Sequence, residues 1–528
     1  MTALRAFRAG LFVCFPRRRD ALLEVLDAVL TLGAVPTLPH LSLAPGHRRG
    51  WGSVYAALRR GRISFEALRA LLVRQPMPAG PPLYAVDVSV WPRPGAATSP
   101  ERGYQYHSPR RRDGRDPVVP GWAYQWLTRL SWDADSWTAP VDVRRVRPEE
   151  KPTDLAVEQL TTLVATRPAA QRGEVPLVLF DAGYDASGFT AALAGAPVSL
   201  LIRLRSNRHF WFAPVRSTAH PTGRPKRHGA KFVCADPATW PAPTAELHAT
   251  DEAYGPVRVR AWAGLHTDVR RPVRPGVVGQ YRGPRRLAHG TVVRLEVGRL
   301  PGRRRTPDVV WLWWQPPPAP GGEPCRPAAA DLDRLWRGYC RRADLEQTFR
   351  FLKQALGWVV PRLRLPEQAD RWTWLVAAAY TQLRLARGVV ADHRLPWERP
   401  FGRPASRPRG CSGGSRRWRG ACPPSLRRQA PAAAPPAGPT GAGRHRPRAT
   451  HPARKPPDAR GPPRCRSAAA FAATSRVAAR AGVVKRPGRD VLRSGGGPVP
   501  VNQGGGLAGQ GASRARCGRA ARCRRSAG

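Results

Sequence analysis

The stretch LDRLWRGYCRRADLEQTFRFLKQAL, Leu332 to Leu356, constrains this chain more than any other. It holds no proline, and Gly338 is its one glycine. Leu345, Phe349, Leu352 and Leu356 recur at i, i+4, i+7 and i+11, which predicts a single long helix with one buried face. Tyr339, Arg342, Glu346 and Lys353 are spaced Tyr-x2-Arg-x3-Glu-x6-Lys along it. At about 100° per residue these four side chains share roughly a 60° arc of the helix surface. A carboxylate held between two cations and a phenol suits a metal-binding Glu set beside a phosphate backbone. The simpler alternative is a solvated face, because Arg342 and Arg350 flank Glu346 at i±4.

Charge narrows the partner. The 528 residues carry 88 Lys+Arg against 36 Asp+Glu, a formal net charge of +52. Such an excess repels itself unless a polyanion neutralises it, so nucleic acid leads the partner classes. No apolar run reaches the roughly 18 residues needed to cross a bilayer, and no membrane partner is expected. The opening MTALRAFRAGLFVCFPRRRD lacks a small-x-small cleavage site and is expected to be cytoplasmic rather than a leader. Nine cysteines form no paired CxxC sets, which argues for reduced thiols without a zinc site or disulfide framework.

Taken in order, ALLEVLDAVLTL reads as an amphipathic helix. WGSVYAALRR and FEALRALLVRQ follow as a helical pair around a GRIS turn whose Ser64 suits a helix cap. The pair is equally an ordinary hairpin or a helix-turn-helix, the latter placing Arg59, Arg60 and Arg62 near DNA. PLYAVDVSVW alternates as a strand, with Asp87 sharing a face with Ala85 and Ser89. An Asp in a β-branched run is disfavoured and points to a metal or to a structural hydrogen bond. GWAYQWLTRLSW and TAPVDVRRV complete a three-strand meander. A helix over Asp154 to Thr166 leads to the continuously apolar Leu177 to Phe180, a central strand, with Asp181 at its carboxyl end, where sites of α/β sheets gather. Asp185 is a weaker candidate for the same role. SGFTAALAG then reads as a helix and PVSLLIRLR as a strand.

The Tyr-Arg-Glu-Lys spacing resembles the signature of the insertion-sequence DDE transposases, and the order of strands and helices is that of a ribonuclease H-like fold. The resemblance covers roughly residues 1 to 400. It implies that Asp87, Asp181 and Glu346 converge to hold two Mg2+ ions, with Mn2+ able to substitute. It implies phosphate contacts from Tyr339, Arg342 and Lys353. The partners it implies are double-stranded DNA, as terminal inverted repeats and as target, and a second copy of the chain in a synaptic complex. A bacterial, nucleoid-associated location would follow.

The expected fold class is therefore α/β: a ribonuclease H-like mixed sheet flanked by helices, with a β-rich insertion, an N-terminal helical region and a disordered basic tail. The boundaries are 1–78 for the helical DNA-binding region, 79–205 and 329–395 for the two parts of the catalytic domain, and 206–328 for the insertion. Trp311, Trp313 and Trp314 of the insertion read first as a buried strand and second as stacking partners for an unpaired base. A second long helix begins at PEQADRW and ends near Asp392.

Residues 396–528 change character. From Phe401 onward there are 28 Lys+Arg and two acids, Asp458 and Asp490, with almost no apolar periodicity. Disorder is expected, because so little apolar surface cannot offset the entropy of ordering. The composition fits either a nucleic-acid arm or a shifted reading frame in GC-rich DNA, and the abrupt break favours the frameshift. A helical, amphipathic continuation in another frame of the encoding DNA would bear that out, and only stops there would sink it. Two rival functions stand beside the transposase: a catalytically inactive DNA-binding remnant, and a basic nucleic-acid-coating protein.

Overall fold

The computed structural model describes residues 2–32, 35, 37–106, 118–133, 135–215, 226–269, 285–300, 309–317 and 326–387, all within the unit Met1–Ala432. The tail from 396 onward lies outside the described residues.

Four helices lead the chain: α1 (Thr2–Cys14), α2 (Arg19–Thr31), α3 (Gly52–Arg60) and α4 (Phe65–Val73). Ser64 caps α4 as its position in the sequence predicts, its hydroxyl accepting the Ala67 N–H at 3.3 Å. The strands begin with β1 (Leu83–Pro92), a short β2 (Gly103–Tyr106), β3 (Val118–Leu130) and β4 (Ala139–Val146). Then come α5 (Pro152–Thr166), β5 (Leu177–Phe180), α6 (Ala186–Ala192) and β6 (Ser199–Leu204). Six further strands follow: β7 (His209–Trp211), β8 (Lys231–Val233), β9 (Ala245–Asp251), β10 (Gly255–Asp268), β11 (Leu287–Val297) and β12 (Val309–Gln315). Helices α7 (Ala329–Arg341), α8 (Ala343–Gln354) and α9 (Pro366–Ala386) close the described chain.

The strands form one mixed sheet, ordered β2-β3-β1-β5-β6-β12-β11-β10-β7-β8, with β4 against β3 and β9 against β10. The meander β1-β3-β4 is antiparallel, as its sequence predicts. β5 runs parallel to β1, and β6 runs parallel to β5. Parallel neighbours need a crossover, which α5 and α6 supply, so β5 is covered on both faces and all four of its residues are buried. This mixed, mostly antiparallel sheet flanked by helices is consistent with the ribonuclease H-like class. The inserted strands extend the same sheet, because β12 pairs antiparallel with β6 from Trp311↔Leu204 to Gln315↔Leu200. Trp311, Trp313 and Trp314 are buried there, and the Trp313 and Trp314 indoles donate to Thr190 and Ser199, each at 2.9 Å. They are core side chains, and base stacking is closed to them.

Strand alternation sorts the core into two layers. Leu83, Ala85, Leu177 and Leu179 face the layer built with α7, α8, α9 and the N-terminal helices. Tyr84, Val86, Val178 and Phe180 face the layer built with α5 and α6. By the same period of two, Asp87 falls on the α8 side of the sheet. Helix α9 packs on α1, α2 and α3, and α4 packs on β4, which ties the N-terminal helices to the sheet. Among the described residues no helix is long and apolar enough to cross a membrane.

The structure corrects one element. Leu332 to Leu356 forms two helices, with Arg342 in a turn between them. The Arg342 N–H donates to the Tyr339 carbonyl and the Leu345 N–H to the Arg342 carbonyl, each at 3.1 Å, so the chain closes over three residues here instead of four. Gly357, at φ 65°, then ends α8 by adopting the left-handed conformation in which a Cβ is strained.

Candidate active site

Strands β1 and β5 pair only as far as Ala85↔Leu179. Beyond that point β1 continues against β3 alone and β5 stops at Phe180, so the sheet forks where the pairing of these two parallel strands ends. Asp87 and Asp181 stand on the two arms of the fork. Each is fixed by a backbone N–H, Asp87 Oδ1 accepting from Val88 and Asp181 Oδ1 accepting from Gly183, both at 2.8 Å. Each thereby leaves Oδ2 to face the interior of the fork.

Helix α8 lies over β1 and β3 and brings Glu346 to the same place. The guanidinium of Arg342, only 14% exposed, joins the three acids. Its Nη2 lies 2.8 Å from Asp87 Oδ2 and 4.0 Å from Asp181 Oδ2, and its Nη1 lies 3.7 Å from Glu346 Oε1. The side chains of Asp87, Asp181 and Glu346 are progressively more open, at 19%, 41% and 66% exposure. The site therefore runs from a buried carboxylate out to a solvated one, a gradient suited to a substrate that arrives from solvent.

Burial pushes the Asp87 carboxyl up to about 6 against the pull of Arg342, with Asp181 adding to the rise, the Val88 N–H opposing it and Glu346 adding again. Burial alone would lower Arg342, but Asp87 foremost, then Asp181, Tyr339 and Glu346, hold it above its ordinary value. Lys353 is half-buried, with its ammonium 5.8 Å from the Trp358 ring centre. Desolvation lowers its pKa, and the charge on Asp87 resists the fall. Tyr339 is also half-buried, its phenol raised by desolvation and pulled back by Arg203 and Arg342. The six residues singled out on the sheet and on α7 and α8 thus act on one another through short contacts or charge, Lys353 through Asp87 and the others through Arg342.

Arg59, Arg60 and Arg62 are not brought into this group. They stand exposed at the end of α3 and in the turn after it, and share no hydrogen bond or ion pair with it. Asp185 caps α6, accepting the N–H and the hydroxyl of Ser187 at 3.2 and 2.8 Å, which explains it structurally. Sequence reading passed over the support beneath the fork. Tyr184 donates its hydroxyl to Gln125 Oε1 at 2.9 Å, and the Gln125 amide donates to Gln159 Oε1 at 2.9 Å, all in the buried layer. A glutamine at an inward position of an otherwise apolar strand was the available signal.

Residues 10–267 match the family of DDE superfamily endonucleases. That match supports a DDE-type transposase. It takes in the whole of the fork, with Asp87 and Asp181, and ends before α7 and α8, so Glu346 and the Tyr-Arg-Glu-Lys spacing lie beyond it. No curated protein matches the chain. DDE endonucleases generally work with divalent metals, and the donor chemistry here fits: three carboxylates, hard oxygen donors, surround the Arg342 guanidinium, which offsets their repulsion. Among the described residues no three acidic, histidine or cysteine side chains stand close enough together to hold a metal ion as they are placed. The Arg342 guanidinium lies within 4.0 Å of a carboxylate oxygen of each of the three acids.

Proposed function

We propose that the chain is the transposase of an insertion sequence, cutting DNA at the element's ends and joining those ends to target DNA. The observation that carries this reading is the convergence of Asp87, Asp181 and Glu346, from three separate elements, on one point at a sheet fork. The three would hold two Mg2+ ions, which when bound stabilise the attacking and leaving oxygens of an in-line phosphoryl displacement. The N–H groups of Val88 and Gly183 fix the two Asp carboxylates so that little reorganisation accompanies reaction. Lys353 and the Tyr339 phenol, beside the acids, orient the phosphate by charge and hydrogen bonding. Arg59, Arg60 and Arg62 grip duplex DNA farther from the scissile bond. Water is the first nucleophile, and the freed 3′-hydroxyl is the second. The terminal inverted repeats, a homodimeric synaptic complex and a nucleoid-associated location belong to the same reading.

The test is strand cleavage of a supercoiled plasmid carrying the native element, with Mg2+ or with EDTA. Wild type should nick at the element ends only with metal, and Glu346→Gln should lose at least a hundredfold in rate while still binding the ends. Cleavage that persists in EDTA or in Glu346→Gln would overturn the assignment.

A further inference from the structure

Arg342 occupies the position toward which all three acids turn. A guanidinium lies within 4.0 Å of Asp87, Asp181 and Glu346, and as placed the three acids do not come close enough together for a small hard cation, which needs oxygens at about 2.0 to 2.1 Å. Guanidinium and divalent cation therefore compete for the same carboxylate oxygens. The local backbone is built for such an exchange. Arg342 is the residue between α7 and α8, where three-residue closures replace the regular ladder, and such a stretch within a helix often marks a hinge. Its Nε is buried without a hydrogen-bond partner, so the guanidinium uses only one edge of its fork among the acids. A phosphate would take that fork in a bidentate pair.

We propose that Arg342 is a built-in counter-ion that holds the DNA-free site in a resting state and is exchanged for divalent metal when DNA phosphate offers the guanidinium a new partner. The inference rests on the reading of the three acids as a metal site. It makes metal and DNA binding mutually reinforcing, because each favours the state in which Arg342 has left the carboxylates.

Mn2+ binding to the full-length, DNA-free protein, followed by electron paramagnetic resonance at pH 8, tests this without any turnover. Arg342→Gln should bind Mn2+ roughly tenfold to a hundredfold more tightly than wild type, the span expected from removing a charge-assisted hydrogen bond. Arg342→Lys keeps a cation without the fork and should fall between the two, and circular dichroism checks that both variants fold. Asp87→Asn should lose binding. Adding a short duplex should tighten Mn2+ binding to wild type and leave Arg342→Gln unmoved. Equal or weaker binding by both Arg342 variants, with binding still lost in Asp87→Asn, would overturn the counter-ion role and leave the metal site standing. Mn2+ binding that is indifferent to Asp87→Asn would remove the metal site itself, and this inference with it.

Discussion

Acid should loosen the inserted strands through one histidine. His266 on β10 is 1% exposed and packed among His228, His289, Trp211, Asp268 and Arg227. His228 Nδ1 and His266 Nε2 share a hydrogen bond of 2.9 Å, and His266 Nδ1 is buried without a partner, so the folded site has no place for a second ring proton. Burial lowers its pKa to about 4 from the ordinary 6.5, with His289 and His228 adding to the fall, Asp268 resisting it and Arg227 adding again. The unfolded chain accepts a proton near pH 6.5 and the folded one does not until about 4, so the unfolded state binds more protons across that window. The stability this neutral ring supports is complete above pH 6.5 and is lost as pH falls toward 4, by up to about 3 kcal/mol. Urea unfolding at pH 7.5 and pH 4.5, followed by tryptophan emission, should show wild type losing more stability than His266→Phe, the difference approaching 2 to 3 kcal/mol (roughly 1.4 kcal/mol per pKa unit). Parallel losses in the two proteins would refute the burial argument.

Two further substitutions probe the frame around the candidate site. Asp142 on β4 is 1% exposed, 2.9 Å from Arg144 Nε and 3.0 Å from Arg69 Nε of α4, the latter close as ions without hydrogen-bond alignment. Asp142→Asn leaves two guanidinium groups without their shared charge and should lower stability by roughly 3 kcal/mol, read as a fall in urea midpoint at unchanged slope. Trp358, fully buried, packs on Trp126, Tyr124 and Trp91 with ring centres 5.2 to 6.3 Å apart, donates to Thr373 at 2.9 Å and lies under Lys353. Trp358→Ala should cost about 3 to 5 kcal/mol through the cavity it leaves. A loss below about 1 kcal/mol would mean that the aromatic cluster does not set the floor of α8.

Much of the frame is legible in the sequence because it is local. The period of two puts Asp87 on one face of β1, the apolar run of β5 marks a covered central strand, and Ser64 stands where a cap belongs. Asp87 on the first strand, Asp181 just past the apolar one and Glu346 on a late helix stand where the resemblance to the transposases implies. What was not legible depends on long-range geometry. A 3.6-residue period is nearly the same for one helix as for two joined through a single tightened residue, so the break at Arg342 left no trace in LDRLWRGYCRRADLEQTFRFLKQAL. The hydrogen bond between Arg342 and Asp87 was likewise out of reach, since the residues are 255 apart in sequence. Neither could composition reveal that β12 would pair with β6 and so make the insertion part of the same sheet, or that Gln125, Gln159 and Tyr184 would meet beneath the fork.

The proposed function stands on Asp87, Asp181 and Glu346 forming one metal-binding site. The most direct measurement replaces Mg2+ with Fe2+ in the presence of ascorbate and hydrogen peroxide, so that bound iron reduces peroxide to hydroxyl radicals that cut the polypeptide nearby, with fragments read by mass spectrometry. Cuts clustered around residues 87, 181 and 346, and suppressed together by excess Mg2+, are the predicted result. Cuts elsewhere, or at one of the three segments without the others, would contradict a shared site.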